Sequence, residues 1–261
     1  MREVRSPHLE LRLESDLAIL TLDRQDKLNA LSFELLREIA SAFDNAASWP
    51  IRALLIRGAG TRAFCAGADI DELRHRSLAE QKRGTEFGQA VFARLDNFPV
   101  PSIALINGFA FGGGLELAMA CTFRLASANA KMGLPEIRLG LIPGYGGTQR
   151  LPRLIGEARA LELIMTGRTV SAVEAAAIGL VNRVVETDLL DAGRAFAGEF
   201  SAFGLPALSF ARSAVSRALD LPLLQGLKVE ADLSTLAYCT RDAEEGMAAF
   251  VEKRKPEFRD A

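Results

Sequence analysis

One stretch limits the possible folds more than any other. A buried-type strand, Ser102 to Asn107, runs into Gly108-Phe109-Ala110-Phe111-Gly112-Gly113-Gly114 and then into an Ala/Leu/Met-rich helix through Cys121. Three glycines at a helix start are costly in chain entropy, so the backbone there has a reason to be bare. A helix N-terminus presents unpaired N–H donors and a partial positive charge, which suits an oxygen on which negative charge develops. Tight helix–strand packing is the other reading of the same glycines. A looser copy of the unit precedes it: a buried-type strand over Ile51 to Arg57, a Gly/Ala-rich loop from Gly58 to Asp71, a polar segment around residues 74 to 83 and a helix from about 85 to 97.

The remaining chain sorts into elements by period and punctuation. Leu9 to Leu13 and Leu17 to Leu22 read as a hairpin joined at Ser15-Asp16, the first strand alternating with period 2. Ser32 offers an N-cap for a helix to about Ser48, before Pro50 ends the run. A short strand spans Phe123 to Ala126, a second Gly-rich turn, Gly144-Tyr145-Gly146-Gly147, precedes more helix, and Ser171-x-x-Glu174 forms a capping box for a helix closed by Gly179. From about 188 onward every segment reads helical, interrupted by Pro206 and Pro222, and the last helix carries Lys253-Arg254-Lys255 as either a solvated end or a ligand contact. At 261 residues, one core with an appended part is expected rather than two equal domains: residues 1–187 bearing the strands, and 188–261 helical.

Composition excludes several classes. With 49% hydrophobic and 25% charged residues the chain is an ordinary globular one, not disordered or disulfide-built. A net charge of −2 and a pI near 5.9 give no field for collecting polyanions, so no nucleic-acid partner is expected. Cys65, Cys121 and Cys239 are widely spaced and odd in number, and no apolar leader opens the chain; a cytoplasmic location follows as an expectation. The apolar runs are far shorter than the roughly 20 residues a bilayer requires, so no membrane association is expected.

Little in the sequence supports nucleophilic or metal chemistry. The only histidines are His8 and His75, there is no Gly-x-Ser-x-Gly elbow, and the histidines and cysteines lack metal-ligand spacing. Gly58-Ala59-Gly60-Thr61-Arg62-Ala63 matches a dinucleotide fingerprint, with Glu80 near the distance of a ribose ligand, but the segment that follows reads as loop where a helix is required. Two carboxylates are better placed. Glu116, one turn into the helix after Gly113, lies in an otherwise apolar run and is either turned to solvent or buried. Glu136 follows Pro135 in a turn that restricts its direction, though alone it would read as a surface acid. Neighbouring carboxylates in different environments can hold different protonation states at neutral pH, as acid–base catalysis requires.

Assembled in order, these motifs resemble the enoyl-CoA hydratase/isomerase (crotonase) superfamily nearly end to end. The similarity is carried by Lys27-Leu28-Asn29-Ala30-Leu31, Phe64 to Ile70, Gly108 to Ala118, Pro135-Glu136, Ile142 to Leu151 and Phe250 to Phe258. The resemblance implies an α/β fold, a spiral of ββα units with a C-terminal α-helical trimerisation region, commonly a dimer of trimers, acting on acyl-CoA thioesters. It implies that the N–H groups of Ala68 and Gly113 form an oxyanion hole, that Glu116 activates water, that Glu136 delivers a proton to the α carbon, and that the Gly144 N–H helps position the water. Lys27, Leu28, Ala30, Ala66, Asp69 and Ile70 match stretches lining the CoA and thioester site. No cofactor is implied, coenzyme A being part of the substrate, and no metal.

Both glutamates are present, which favours hydration over double-bond isomerisation, because adding water needs one group to activate it and another to protonate carbon. Two positions depart from the family pattern: Gln25-Asp26, where a proline-containing turn is common, and Tyr145, where small residues are frequent and which bears on the acyl pocket. A methylglutaconyl-type hydratase and a non-catalytic CoA-ester-binding protein are the alternatives. RNA binding is disfavoured because residues 32 to 48 offer only Arg37 against Glu34, Glu38 and Asp44, and a two-carboxylate glycosidase because one Trp and two Tyr leave few sugar platforms.

Overall fold

The computed structural model describes residues 2–261. In chain order the first half comprises β1 (Glu3–Ser6), β2 (Leu9–Glu14), β3 (Leu17–Leu22), α1 (Phe33–Ala47), β4 (Ala53–Gly58), β5 (Ala63–Cys65), α2 (Ile70–Leu73), α3 (Leu78–Ala93), β6 (Ser102–Ile106), β7 (Phe109–Phe111) and α4 (Gly113–Ala120). Then come β8 (Phe123–Ser127), β9 (Lys131–Gly133), α5 (Gly147–Ile155), α6 (Glu157–Thr166), β10 (Val170–Ser171), α7 (Ala172–Ala177) and β11 (Arg183–Val185). Four helices close the chain: α8 (Leu189–Ser201), α9 (Leu205–Ser216), α10 (Leu223–Tyr238) and α11 (Arg241–Glu252).

Two sheets are wound together. The larger has the order β1-β2-β3-β4-β6-β8-β11, antiparallel through β3 and parallel beyond it. The smaller has the order β10-β9-β7-β5. From β4 to α5 each turn of the chain places one strand in the large sheet, the next in the small sheet, and then a helix, which is the ββα spiral; β10, α7 and β11 close it in the reverse order, small sheet, helix, large sheet. Strand alternation sorts the large sheet's two faces. Leu20 and Leu22, Leu54 and Ile56, and Ala104 and Ile106 enter the main core shared with α1 and α4. Ile19, Leu55, Leu105 and Leu125 face the other way, against Phe196 and Ala197 of α8. Parallel strands covered on both faces read as continuous apolar runs, which is why β4 and β6 show no polar alternation in sequence.

The structure departs from the sequence expectations in several places, among them the unread strands β1, β10 and β11 and the Ser171-x-x-Glu174 box, of which only the Ser171 cap forms while Glu174 pairs with Arg168. Short strands β5 and β7 occupy segments read as loop and β9 one without an expected element, since three residues are too few to display a period. Helix α3 begins at Leu78, not near 85, because Ser77 and Glu80 form a reciprocal capping box and the solvated first turns lack an apolar stripe. It also ends at Ala93, short of 97. Lys253-Arg254-Lys255 lie beyond the last helix: Lys253 is its left-handed cap and Arg254 folds back on Glu245 and Glu252. No helix among the described residues is long and apolar enough to cross a membrane.

Leu28 and Asn29 both adopt positive φ, 53° and 59°, to turn the chain towards α1. The buried Asn29 side chain holds that turn in place, its Nδ2 donating to Ala59 O at 3.2 Å and Ala63 O at 2.9 Å while Oδ1 accepts from Arg24 N at 3.0 Å. Asn29→Ala deprives two interior carbonyls and one amide of their partner. We expect a loss of roughly 2–4 kcal/mol of stability, read as a lower denaturant midpoint at unchanged slope.

Candidate active site

The two glycine-bearing loops meet. The Leu31 main chain bridges the first loop, its N–H donating to Gly67 O at 2.8 Å and its carbonyl accepting from Asp69 N at 2.8 Å, so the intervening Ala68 is held from both sides. Gly67 has φ +114°, and a Cβ on it would come within 3.2 Å of Phe111 O, so only glycine lets this loop lie against the second. In the second loop the three glycines do different work. Gly112 has φ +49°, Gly113 is the first residue of α4, and a Cβ on Gly114 would strike Cys65 O at 2.1 Å. Gly114 is there for packing, and Gly113 presents a helix-terminal N–H. Among the described residues, neither the Ala68 nor the Gly113 N–H donates to a protein acceptor, which leaves both for a ligand oxygen.

Glu116 belongs to the first turn of α4 and is buried, not solvent-facing, with 1% of its surface exposed. Its Oε1 accepts two amides from the turn before α5, Tyr145 N and Gly147 N, each at 2.7 Å. Burial pushes its pKa up to about 7, against the Gly147 amide and with the help of the Glu136 charge. Glu136 sits in a 3₁₀ turn, Pro135–Leu139, its Oε1 crowding the place where a Gly112 Cβ would be, 2.8 Å away. Its Oε2 is buried without a hydrogen-bond partner, and burial raises its pKa as well. Two adjoining acids, one tethered by amides and one with a free oxygen, are thus both biased towards holding a proton.

A cavity of about 910 Å³ collects these groups. Ala66, Ala68, Ile70, Gly113, Glu116, Glu136 and Gly144 all line it, together with Gln89, Leu141 and Tyr145. Lys27, Leu28, Ala30 and Asp69 do not. Lys27 is exposed and paired with Asp71 at 3.2 Å, whereas the buried Asp69 carboxylate meets Arg24 at 2.7 Å and caps α2, stiffening the Ala68 loop from behind. The amides that hold Glu116 come from Tyr145 and Gly147, with Gly144 instead receiving Gln89 Nε2 on its carbonyl at 2.8 Å. Sequence reasoning connected Tyr145 with the acyl pocket but missed its amide as an anchor of Glu116, and missed Gly147 and Gln89 altogether. The only signal was the glycine spacing of the 144–147 turn, which marks a sharp bend without saying which amide turns inward.

Other sequence features lie elsewhere. The Gly58–Ala63 loop leads into β5, so no helix N-terminus awaits a pyrophosphate, and Glu80 is engaged with Ser77. His8 comes within 3.8 Å of Glu34 near Glu38, but that group is on the outer face of α1 and Glu38 already accepts from Ser6 Oγ.

Comparison with known proteins follows the same geometry. Residues 12–261 match the family model described as enoyl-CoA hydratase/isomerase. The chain is 42% identical to a crotonyl-CoA hydratase of Syntrophomonas wolfei, over 95% of this chain and 96% of that one. It is 38% identical to a short-chain-enoyl-CoA hydratase of Clostridium acetobutylicum, over 95% of each. The crystal structure of a Geobacillus kaustophilus protein titled as an enoyl-CoA hydratase superimposes with a TM-score of 0.95 at 33% identity, covering 100% of this chain and 99% of that one. With the family model matching residues 12–261, relatives at 42% and 38% identity along nearly the whole chain and a solved structure of the same fold, the protein belongs to the enoyl-CoA hydratase/isomerase family.

Proposed function

We propose that this protein is an enoyl-CoA hydratase, adding water across the 2,3 double bond of a trans-2-enoyl-CoA to give a 3-hydroxyacyl-CoA. One observation carries the reading: Glu116 and Glu136 share a cavity wall with the unpaired amides of Ala68 and Gly113. The thioester oxygen accepts hydrogen bonds from those two amides. Glu116 takes a proton from a water molecule as its oxygen bonds to C3, and the displaced π electrons move through C2 to the thioester oxygen as an enolate. Glu136, protonated, then gives its proton to C2. Such amides, aimed at the developing charge and already in place, are worth about 2.7–4 kcal/mol each in transition-state stabilisation. The step needs no redox partner, so no cofactor or metal is assigned beyond the coenzyme A carried by the substrate. Names of the relatives, crotonyl-CoA and short-chain-enoyl-CoA hydratase, support the same substrate class.

The division of labour in the chain is part of this reading. Residues 1–187 form the catalytic core and 188–261 the oligomerisation region. Helix α10 has no buried residue, and with Val215 and Leu219 before it, its Leu223, Leu224 and Leu227 expose a broad apolar face. Contiguous apolar patches of that kind are covered in assembled proteins, and a trimer or dimer of trimers would cover this one. A reducing, cytoplasmic setting suits the three free thiols, two of them buried with pKa values pushed up to about 12.

Three outcomes test these assignments. Glu116→Gln and Glu136→Gln each lower kcat on crotonyl-CoA, followed by loss of enoyl absorbance, by about 100-fold or more while CoA-ester binding persists; wild-type rates in either variant would refute its role. Stability responds to pH in the sense set by the raised Glu116 pKa. The folded state retains a proton that the unfolded chain, near 4.5, has lost, so the contribution is fully present below about 4.5 and disappears as pH rises through about 7. Between pH 5 and 8 wild type therefore loses stability relative to Glu116→Gln, by at most roughly 3 kcal/mol, in paired denaturant titrations, while hydration speeds up as Glu116 ionises. Sedimentation gives the mass of three or six chains, and a Leu223→Glu, Leu224→Glu double variant sediments as a smaller species.

A further inference from the structure

Helix α3 contains a buried glycine, Gly88, in its interior, where glycine is a poor helix former and tertiary structure must supply the reason. The reason is Tyr145. A Cβ on Gly88 would lie 2.4 Å from Tyr145 Cε1, so the ring occupies the notch that the missing side chain leaves. The opposite edge of the same ring faces the glycine of the oxyanion pair, where a Cβ on Gly113 would lie 3.2 Å from Tyr145 Cδ2. Phe92, one turn further along α3, meets the ring edge-on at 5.7 Å and 83°. The ring is thus wedged between α3 and the start of α4 and cannot swing aside unless α3 moves. It is 8% exposed, and it lines the cavity.

The Tyr145 backbone adds the decisive constraint. Its N–H is one of the two donors that hold Glu116 at 2.7 Å, so the ring is carried by a residue that itself anchors the carboxylate assigned to direct water to C3. With C3 placed at Glu116, the Tyr145 ring is the part of the cavity wall next to the acyl carbons beyond C3. We propose that Tyr145, seated in the Gly88 notch, is the end wall of the acyl pocket and limits this enzyme to short, unbranched acyl chains. The proposal rests on the hydratase reading for its orientation of the substrate, and it adds the residue pair that sets chain length. A methylene that finds no room in a rigid pocket typically changes discrimination by 10–200-fold, which makes the effect measurable.

The test compares wild type with Tyr145→Ala, Tyr145→Leu and Tyr145→Phe, each first checked for native circular dichroism; the leucine variant keeps an apolar filling should the alanine variant not fold. Binding of saturated butyryl-CoA and decanoyl-CoA is measured by calorimetry, which requires no turnover, and kcat/KM is measured on crotonyl-CoA and trans-2-decenoyl-CoA. Wild type and Tyr145→Phe should bind decanoyl-CoA no more tightly than butyryl-CoA and favour crotonyl-CoA in turnover. Tyr145→Ala or Tyr145→Leu should bind decanoyl-CoA at least 10-fold more tightly than wild type and move the decenoyl-to-crotonyl kcat/KM ratio up by a similar factor. An unchanged length profile in a folded alanine or leucine variant overturns the proposal. If wild type binds acyl-CoA but hydrates no enoyl-CoA, the hydratase reading fails while the binding profile still decides the role of Tyr145.

Discussion

The site depends on two main-chain hydrogen bonds made by Leu31. By joining Gly67 O and Asp69 N at 2.8 Å each, this residue, contributed by the segment before α1, turns an otherwise irregular loop into a one-residue piece of sheet centred on Ala68. Backbone amides lack side-chain freedom, so a donor fixed in this way is preorganised before a ligand arrives. The arrangement has further supports behind it. Asn29 ties the turn leading to Leu31 to both ends of the β4–β5 connection, and the Arg24–Asp69 ion pair anchors the far side of the Ala68 loop. An ion pair this buried is costly to desolvate and is of more use for fixing a geometry than for overall stability.

Electrostatics at the opposite wall follow from the same economy of parts. Glu116 sits on an apolar helix, a poor place for a charge, and the two amides that meet its Oε1 compensate only in part, which leaves its pKa near neutrality. Glu136 has less burial and a free oxygen. One carboxylate is therefore oriented by the protein, and the other keeps an oxygen available to the substrate. A single turn, residues 144–147, both orients the first acid and, through the Tyr145 ring, reaches α3. That coupling joins the orientation of Glu116 to the shape of the cavity.

Much of the fold was legible because its long elements carry strong local signals: the β2–β3 hairpin, the Ser32-capped α1, the apolar β4 and β6, and the glycine-led α4. The small sheet was not, because strands of three residues such as β5 and β7 have no period and are defined only by the neighbours they pair with. Helix α3 showed the same limit from another direction: its start is set by a Ser77–Glu80 cap on a solvated turn, where hydrophobic spacing is silent. For the site, composition marked two glycine-rich loops and the acids Glu116 and Glu136, and the family resemblance singled out the amides of Ala68 and Gly113 within those loops. Lys27 and Asp69 carried equal weight as sequence matches, yet they are engaged by Asp71 and Arg24, partners too far away in sequence for local reasoning to pair with them.

From the sequence alone came the order of the strand–loop–helix units, the two bare-backbone loops and the pair of acids, because these rest on composition and spacing within a few residues, and the fold class came from the family resemblance that these motifs carry in order. Tertiary structure decided whether Glu116 faces solvent or the interior, which amides hold it, and which glycine is for packing and which leaves its N–H unpaired. It also decided that a tyrosine from one loop fills a notch in a helix more than fifty residues earlier. These are long-range contacts: their energies depend on which surfaces the chain brings within a few ångströms, and no local pattern of residues specifies that.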